Sequence, residues 1–404
     1  MEEHIMKREK SKRDAVIVSA CRTALGGFNG GLSGVEATTL GSLAIDEAIK
    51  RSGLAKEEIE EVIMSQVLPC GCGQNPARQA MVKSGLPWDT GATTINKVCG
   101  GGLKAVMMAA QAVRCGDADI VVAGGMENMS RAPYYLDKVR GGCRMGNAPL
   151  IDHMVHDGLW DIVNDFHMGI SNDLICDKYE ISREDQDKYA ARSYERALRA
   201  IADGKFDEEK FPVMIPSRKG EPVAMTTDEG VRETPYEALA AMKPAFRKDG
   251  YATAGNASII ADGASAVCVM SREAAERKGI APMARIVAYG SSGLDMKYVL
   301  IAPILSIPKV LKIAGLNLKD IELREVNEAF SGSTICAIRE LGLDEETTNV
   351  NGGSVALGHP IGCSGARVLT TLLYEMKKRD VKLGEASLCL GGGEAVTMIV
   401  EREN

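Results

Sequence analysis

The chain has 404 residues, 45% of them apolar and 25% charged, with a formal net charge of −7. That length holds two or three domains around a large core, and the acidic balance excludes a general polyanion binder. Aromatics make up only 4% while glycines number 43, a mix suited to close-packed α/β layers and not to a surface that stacks bases. Nucleic acid is therefore not an expected partner. No apolar run reaches the roughly 18 residues of a membrane span, so no membrane partner is expected either. Eleven cysteines are scattered without the spacing of a disulfide framework, which points to a reducing compartment. The basic run from Lys7 to Arg13 follows an acidic opening and has no apolar stretch after it. It reads as a solvated tail and not as a secretory or transit signal, so a cytoplasmic location is expected.

In chain order, DAVIVSACRT (Asp14 to Thr23) begins as a buried strand and leaves into a glycine-rich loop. Leu40 to Leu54 has helical spacing and ends at Gly53. Glu60 to Leu68 predicts a second strand, and Cys70 to Gly85 turns through glycines into a helix. Cys70 and Cys72 form only a pair, too few ligands for a structural zinc. The β-branched run Thr93 to Asn96 predicts a strand, and Leu103 to Gly116, apolar nearly all round, predicts a buried helix. Ala118 to Ser130 predicts a buried strand ending at Gly124-Gly125. From about Arg131 to Ile259 the chain is more polar, with one clear helix from Ser182 to Gly204 that opens on a Ser182/Asp185 capping signal. This region reads as an insertion, because strand–helix texture resumes at Ala261 to Gly279. The last portion repeats the first. Met283 to Gly293 parallels the opening strand, Asn349 to Met376 parallels the strand, glycine turn and helix around Cys99, and Glu385 to Glu401 parallels the strand before Gly124-Gly125. The expectation is an α/β fold of two similar halves, with sheets covered by helices and chemistry where the halves meet.

The stretch NKVCGGGLK (Asn96 to Lys104) puts Cys99 at a strand-to-helix turn. A thiol there meets the positive end of the helix dipole and unpaired N–H groups, and both lower its pKa. The functional reading is a nucleophile; the plainer one is a small buried cysteine in a glycine turn. In the second half His359 lies between Gly358 and Gly362, and Pro360 biases it to an extended, rigid placement. Cys389 precedes Gly391, Gly392 and Gly393, whose N–H groups suit an anion-binding concavity. Cysteine and histidine on separate turn-bound stretches form the constellation for thiol nucleophilic catalysis. Arg218, Lys219, Arg232, Lys243, Arg247 and Lys248 supply the local positive charge that an anionic ligand needs. His153, His156 and His167 share one region without the pattern of a catalytic zinc, so no metal is expected.

Seven motifs occur in one order: NKVCGGGLK, AGGMENMS (Ala123 to Ser130), HMG (His167 to Gly169), TAGNAS (Thr253 to Ser258), VNEAF (Val326 to Phe330), GHPIGCSGAR (Gly358 to Arg367) and CLGGG (Cys389 to Gly393). On these the chain resembles the thiolase family from about Asp14 to Glu401. QNPARQ (Gln74 to Gln79) and LIDHMVHDGLWD (Leu150 to Asp161) resemble its short-chain branch, which forms acetoacetyl-CoA. The resemblance implies a five-layer α-β-α-β-α fold. Residues 1–131 and 260–280 would form the N-terminal half, 132–259 an inserted loop domain that binds CoA, and 281–404 the C-terminal half. It implies acetyl-CoA C-acetyltransferase activity, the reversible Claisen condensation of two acetyl-CoA to acetoacetyl-CoA plus CoA, with no cofactor beyond the CoA thioesters themselves. By resemblance Cys99 becomes acetylated, His359 takes the thiol proton and polarises a thioester oxygen, and Cys389 removes an α-proton from the second acetyl-CoA. His359 and a water held by Asn327 would receive the enolate oxygen, and the backbone N–H groups of Cys99 and Gly391 the tetrahedral oxyanion. Arg232 would lie near the nucleotide, Ser258 and His167 along the pantetheine, with Leu159, Ala254 and Phe330 completing the substrate contacts. A homotetramer built as a dimer of dimers, or a homodimer, is implied.

The chain departs from the family pattern at Ile259 in place of a glycine, at Glu394-Ala395 in place of Met-Gly, and at Val299 to Leu305 in place of a glycine-containing segment. Glu394 is expected to raise the Cys389 pKa or to read a cationic substrate group. These changes bear on the acyl substrate and keep open a longer-chain 3-ketoacyl-CoA thiolase of fatty-acid degradation and, from another class, a non-catalytic acyl-CoA or lipid carrier. Two thiols facing one cavity also suggest a reversible Cys99–Cys389 disulfide.

Overall fold

The computed structural model describes residues 11–217 and 220–403. The N-terminal basic run as far as Lys10, and Arg218 and Lys219 of the basic set, lie outside them. Nine strands carry the architecture: β1 (Ala15–Thr23), β2 (Glu61–Ser65), β3 (Gly91–Ile95), β4 (Ile120–Asn128), β5 (Ala261–Ser271), β6 (Ala284–Gly293), β7 (Leu323–Val326), β8 (Leu383–Leu390) and β9 (Glu394–Arg402). Their spatial order is β7-β8-β9-β6-β1-β5-β4-β2-β3. Outward from β1 the pairings run antiparallel to β5, antiparallel to β4, then parallel to β2. Outward from β6 they run antiparallel to β9, antiparallel to β8, then parallel to β7. The two series repeat one plan and meet along β1 and β6, at Val16–Arg285 and Ile17–Ala284. The repetition that begins at Met283 in the sequence is thus a repetition of strand order.

The principal helices are α1 (Ala37–Ser52), α2 (Pro76–Lys83), α3 (Gly101–Cys115), α4 (Met168–Tyr179), α5 (Arg183–Ala202), α6 (Pro303–Ala314), α7 (Ser331–Leu341) and α8 (Ser364–Arg379). Helices α1 and α2 cover the outer face of the first half, burying Leu40, Ile45 and Met81 against Val16, Val62 and Val122. Helix α6 covers the second, with Ile307 and Val310 against Ala288 and Ile399. Between the halves lie α3 and α8, whose Leu103, Val106, Val368 and Leu372 share one cluster with Ile17, Val267, Leu388 and Met398. The layers read α-β-α-β-α. Strand β1 shows how the sequence feeds two layers at once. Ala15, Ile17 and Ala20 face the middle layer, while Val16, Val18 and Cys21 face α1. The alternation slips by one because a bulge lies between Ile17 and Ser19, so Val18 and Ser19 both turn outward and the Ser19 hydroxyl donates to Ala48 O of α1.

Three local expectations are corrected. Strand β4 does not end at Gly124-Gly125 but runs through both. A side chain at Gly124 would overlap the backbone of Ser265, and one at Gly125 the backbone of Gly362, so these glycines permit close layers and do not terminate the strand. Glu385 to Glu401 is not one strand but the β8–β9 hairpin. Gly392 and Gly393, with φ of 93° and 80°, make its turn. Asn349 does not open a strand. Beyond an isolated backbone bridge at Arg324–Thr348, its side-chain amide takes over the pairing with the end of β7, accepting from Val326 N–H (2.8 Å) and donating to Val326 O (2.7 Å). Ser182 does cap α5, with Asp185 reciprocating as a capping box.

The first turns of α3 and α8 touch. A Cβ on Gly102 would lie 2.7 Å from Ala366 N, and one on Gly365 would overlap Leu103 N. This contact between one glycine from each half brings the Cys99 turn against the loop that carries His359. Strands β4 and β5 are sheet neighbours, so the chain from 129 to 260 is inserted between two paired strands, and it touches the sheet again where Lys210–Phe211 pairs with Arg22 and Thr23 of β1.

Candidate active site

Cys99 follows β3 across a strained corner. Val98, β-branched, adopts φ of 43°, a conformation that costs about 1–3 kcal/mol and persists only where neighbours enforce it. They do: Val98 N–H donates to Asn96 Oδ1 (2.9 Å) and Gly101 N–H to Val98 O (3.0 Å). The result presents a half-buried sulfur at the head of α3. Its own backbone N–H and that of Gly391, from the β8–β9 turn, face it.

His359 is 6% exposed. Its backbone N–H donates to Ile259 O (2.8 Å), and its Nδ1 lies 2.7 Å from Ser364 Oγ. The Ser364 hydroxyl donates to Pro360 O (2.9 Å). Its only proton is committed there, so Nδ1 carries the ring proton and Nε2 keeps its lone pair. Nε2 is buried with no partner among the described residues. Cys389, at the end of β8, is 3% exposed and close enough to Cys99 that charge on one disfavours charge on the other.

The electrostatics correct one expectation. The helix N-terminus does not lower the Cys99 pKa: burial pushes this thiol up to about 12, against a smaller opposing effect of the Gly391 and Cys99 N–H groups. Desolvation outweighs the dipole because the sulfur faces an apolar cavity. Burial likewise raises the Cys389 thiol. His359 is pulled down to about 3, by burial first and by the nearby Arg367 guanidinium second. The resting site is therefore uncharged, two thiols and a neutral imidazole.

One cavity of about 400 Å³ is lined by ten of the eleven site residues expected from the sequence: Cys99, His359, Cys389, Gly391, Arg232, Ser258, His167, Leu159, Ala254 and Phe330. The eleventh, Asn327, is not part of the wall. It is 4% exposed, with its Nδ2 unpartnered among the described residues and its Oδ1 accepting from Ser354 Oγ at 2.6 Å. Of the described basic set only Arg232, exposed, reaches the cavity. Arg247 is engaged elsewhere by Asp177 (3.0 Å), and Lys243 and Lys248 are exposed away from the lining. Ile259, Val299 and Leu300, flagged as departures, do line it. Glu394 does not act on Cys389 as expected: its carboxylate pairs with Lys97 Nζ at 2.5 Å, joining the Cys99 stretch to the β8–β9 turn. His153 and His156 bond Asp157, while His167 stacks on Phe246 at 4.4 Å. Among the described residues no three His, Cys, Asp or Glu are placed to hold a metal.

Phe28 and Phe246 escaped the sequence reading. With Phe330 they make three of only six phenylalanines in the chain, and that scarcity was the available signal. Ser354, Ser364 and Arg367 sit inside recognised stretches, but their roles depend on hydrogen-bond direction, which spacing does not reveal.

The thiolase N-terminal domain is matched over residues 15–273 and the thiolase C-terminal domain over 280–402. An acetyl-CoA acetyltransferase of Pseudomonas aeruginosa is 51% identical over 392 residues, covering 97% of this chain and 100% of the relative. One of Cupriavidus necator is 51% identical over 391 residues, covering 96% and 100%. The crystal structure of the Bacillus anthracis acetyl-CoA acetyltransferase superposes with a TM-score of 0.95 at 40% identity, covering 96% of this chain and 99% of that one. The chain belongs to the thiolase family.

Proposed function

We propose that the protein is an acetyl-CoA C-acetyltransferase, joining two acetyl-CoA to acetoacetyl-CoA and CoA and running in reverse as a thiolase. The observation that carries this reading is the meeting of Cys99, His359 and Cys389, from three separate stretches, in one cavity. The names of the relatives support the acetyl-CoA substrate.

In the proposed sequence Cys99 attacks the thioester carbonyl as Nε2 of His359 takes its proton. With a thiol near 12 and an imidazole near 3, a resting ion pair is unfavourable. The thiolate forms only as the acyl carbon is attacked, when the N–H groups of Cys99 and Gly391 receive the developing oxyanion. Each such donor is typically worth about 2.7–4 kcal/mol. The imidazolium then protonates departing CoA. Cys389 then gives its thiol proton to the emptied Nε2 of His359 and, as the thiolate, removes an α-proton from the second acetyl-CoA. The enolate oxygen is received by the N–H so formed at Nε2 of His359 and, through a water, by Asn327; the enolate carbon attacks acetyl-Cys99, whose sulfur leaves and takes back the His359 proton. The substrates are CoA thioesters and the scheme calls on no resident cofactor.

Residues 132–259 act in this reading as the CoA-holding insertion, with Arg232 toward the nucleotide and Ser258, His167 and Leu159 along the pantetheine. Exposed apolar side chains at Tyr134, Leu136, Leu150, Ile162 and Val163 support self-association as a dimer or a dimer of dimers. Among the described residues no helix is long and apolar enough to cross a membrane. Eleven unpaired cysteines support a reducing, cytoplasmic setting. Steady-state thiolysis of acetoacetyl-CoA against longer 3-ketoacyl-CoA homologues tests the reading. Highest kcat/KM on acetoacetyl-CoA is expected; a preference for longer chains would make this a degradative 3-ketoacyl-CoA thiolase.

A further inference from the structure

Asn327 has a fixed backbone, since its N–H donates to Ser387 O (2.9 Å). Its side-chain amide is not fixed by shape, because the terminal torsion has two nearly equivalent settings that exchange oxygen and nitrogen. In the proposed reaction only one of them serves: the NH2 must be the free end, to orient a water toward the enolate oxygen. The surroundings decide between the two settings by hydrogen-bond direction.

Arg367 and Ser354 are both 0% exposed. Arg367 Nη2 donates to Ser354 Oγ at 2.9 Å, and a guanidinium is a donor only. Ser354 Oγ lies 2.6 Å from Asn327 Oδ1. The hydroxyl, having accepted from Arg367, has one proton to give, and among the described residues Asn327 is the only acceptor within its reach. If the amide were turned over, two donors would converge on Ser354 and its proton would be buried without an acceptor. The arrangement that satisfies Ser354 places Oδ1 toward it and leaves Nδ2 as the unpartnered group. The link reaches the cavity wall through Ile259, whose N–H donates to Ser354 O (3.3 Å) and whose O accepts from His359 N–H (2.8 Å). Arg367 is held beside the buried Glu325 carboxylate, 3.9 Å away.

We propose that Arg367 and Ser354 are positioning residues: a one-way chain of hydrogen bonds from the buried guanidinium through the hydroxyl locks the Asn327 amide with its NH2 free for the carbon–carbon bond-forming step. The inference rests on the reaction proposed above. It also makes that reaction divisible, because the lock serves enolate formation and not the acetylation of Cys99.

The test separates the two half-reactions in Ser354→Ala. Acetylation is read as exchange of labelled CoA into acetyl-CoA, and the second step as acetoacetyl-CoA thiolysis and condensation. The expected result is a fall of roughly tenfold or more in kcat for the second step, with CoA exchange changed by less than about threefold. In an Asn327→Ala background, Ser354→Ala should add less than about twofold, because the hydroxyl acts through an amide that is gone. Should Ser354→Ala lose the fold, Ser354→Cys carries the same comparison, since a thiol keeps the volume and donates weakly. Equal loss in both half-reactions, or effects that multiply in the double variant, would overturn the inference. A wild-type protein without CoA exchange would instead sink the reaction on which it rests.

Discussion

Each half of the molecule opens its central helix with a cysteine-bearing glycine turn. In the first half Cys99 precedes α3; in the second Cys363 caps α8, and the two helices touch through Gly102 and Gly365. Both thiols stand at a helix N-terminus, and burial pushes both up to about 12. The helix dipole therefore does not distinguish a nucleophile from a packing residue here. The difference is access and company. Cys363 is 0% exposed and lines no part of the cavity, whereas Cys99 shares the cavity with the unpaired Nε2 of His359 and with Cys389, and has the Gly391 N–H facing it. The second half spends the corresponding turn on holding His359, through Ser364, and on docking to the first half.

The comparison breaks most sharply under substitution. Cys99→Ala should lower acetyl transfer by roughly 10⁴-fold or more, while Cys363→Ala should keep activity within about threefold and cost about 1 kcal/mol or more of stability from the lost buried atom. Matching steady-state rates with urea unfolding separates the two. A Cys363→Ala protein that folds yet is inactive would contradict the assignment.

A second contrast appears in pH. Alkylation of Cys99 by iodoacetamide in the absence of substrate should climb through pH 9 without levelling, because its thiolate fraction is still rising toward a pKa of about 12. Cys363 should stay unmodified while the fold persists. The sign of the stability effect follows from linkage. Above pH 9 the unfolded chain releases thiol protons that native Cys99 and Cys363 retain, so stability is lost as pH rises from about 9 toward 12. Mass-resolved peptide labelling across pH checks the first claim, and a plateau in Cys99 labelling below pH 8 would contradict it.

The two cavity thiols differ from the buried ones in a further way. Diamide, a two-electron oxidant, should take one hydrogen each from Cys99 and Cys389, join the sulfurs and stop turnover, and dithiothreitol should restore it. Activity that is insensitive to diamide would remove this pairing.

The smallest effect concerns the Lys97–Glu394 pair. It links the two sulfur-bearing stretches but is partly exposed, at 21% and 41%. Lys97→Met or Glu394→Gln should change stability by about 0–1 kcal/mol and kcat by less than about threefold. A large kcat loss that is suppressed by high salt would assign the pair a greater part.

Much of this was legible in the sequence, for identifiable reasons. The repeated strand plan shows because β-branched runs and glycine turns recur in order, and the capping box of α5 shows because its chemistry is local. Cys99, His359 and Cys389 show because reactive residues at glycine-bounded turns are rare. What the sequence misled on was set by neighbours distant along the chain. Gly124 and Gly125 resemble a strand end until Ser265 and Gly362 are packed against them. Glu394 looks poised over Cys389 until Lys97, nearly three hundred residues earlier, claims its carboxylate. The Cys99 pKa follows local logic until the apolar wall closes round it, and the direction in which Ser354 donates depends on Arg367, which no spacing rule connects to Asn327.

The division of labour between the two cavity thiols is tested most directly in Cys389→Ala. Incubation with acetyl-CoA should leave one acetyl group on Cys99 by peptide mass, with label exchange between CoA and acetyl-CoA near the wild-type rate, while acetoacetyl-CoA formation falls by roughly 10²-fold or more. Condensation that persists in this variant, or an acetyl group that never reaches Cys99, would contradict the account.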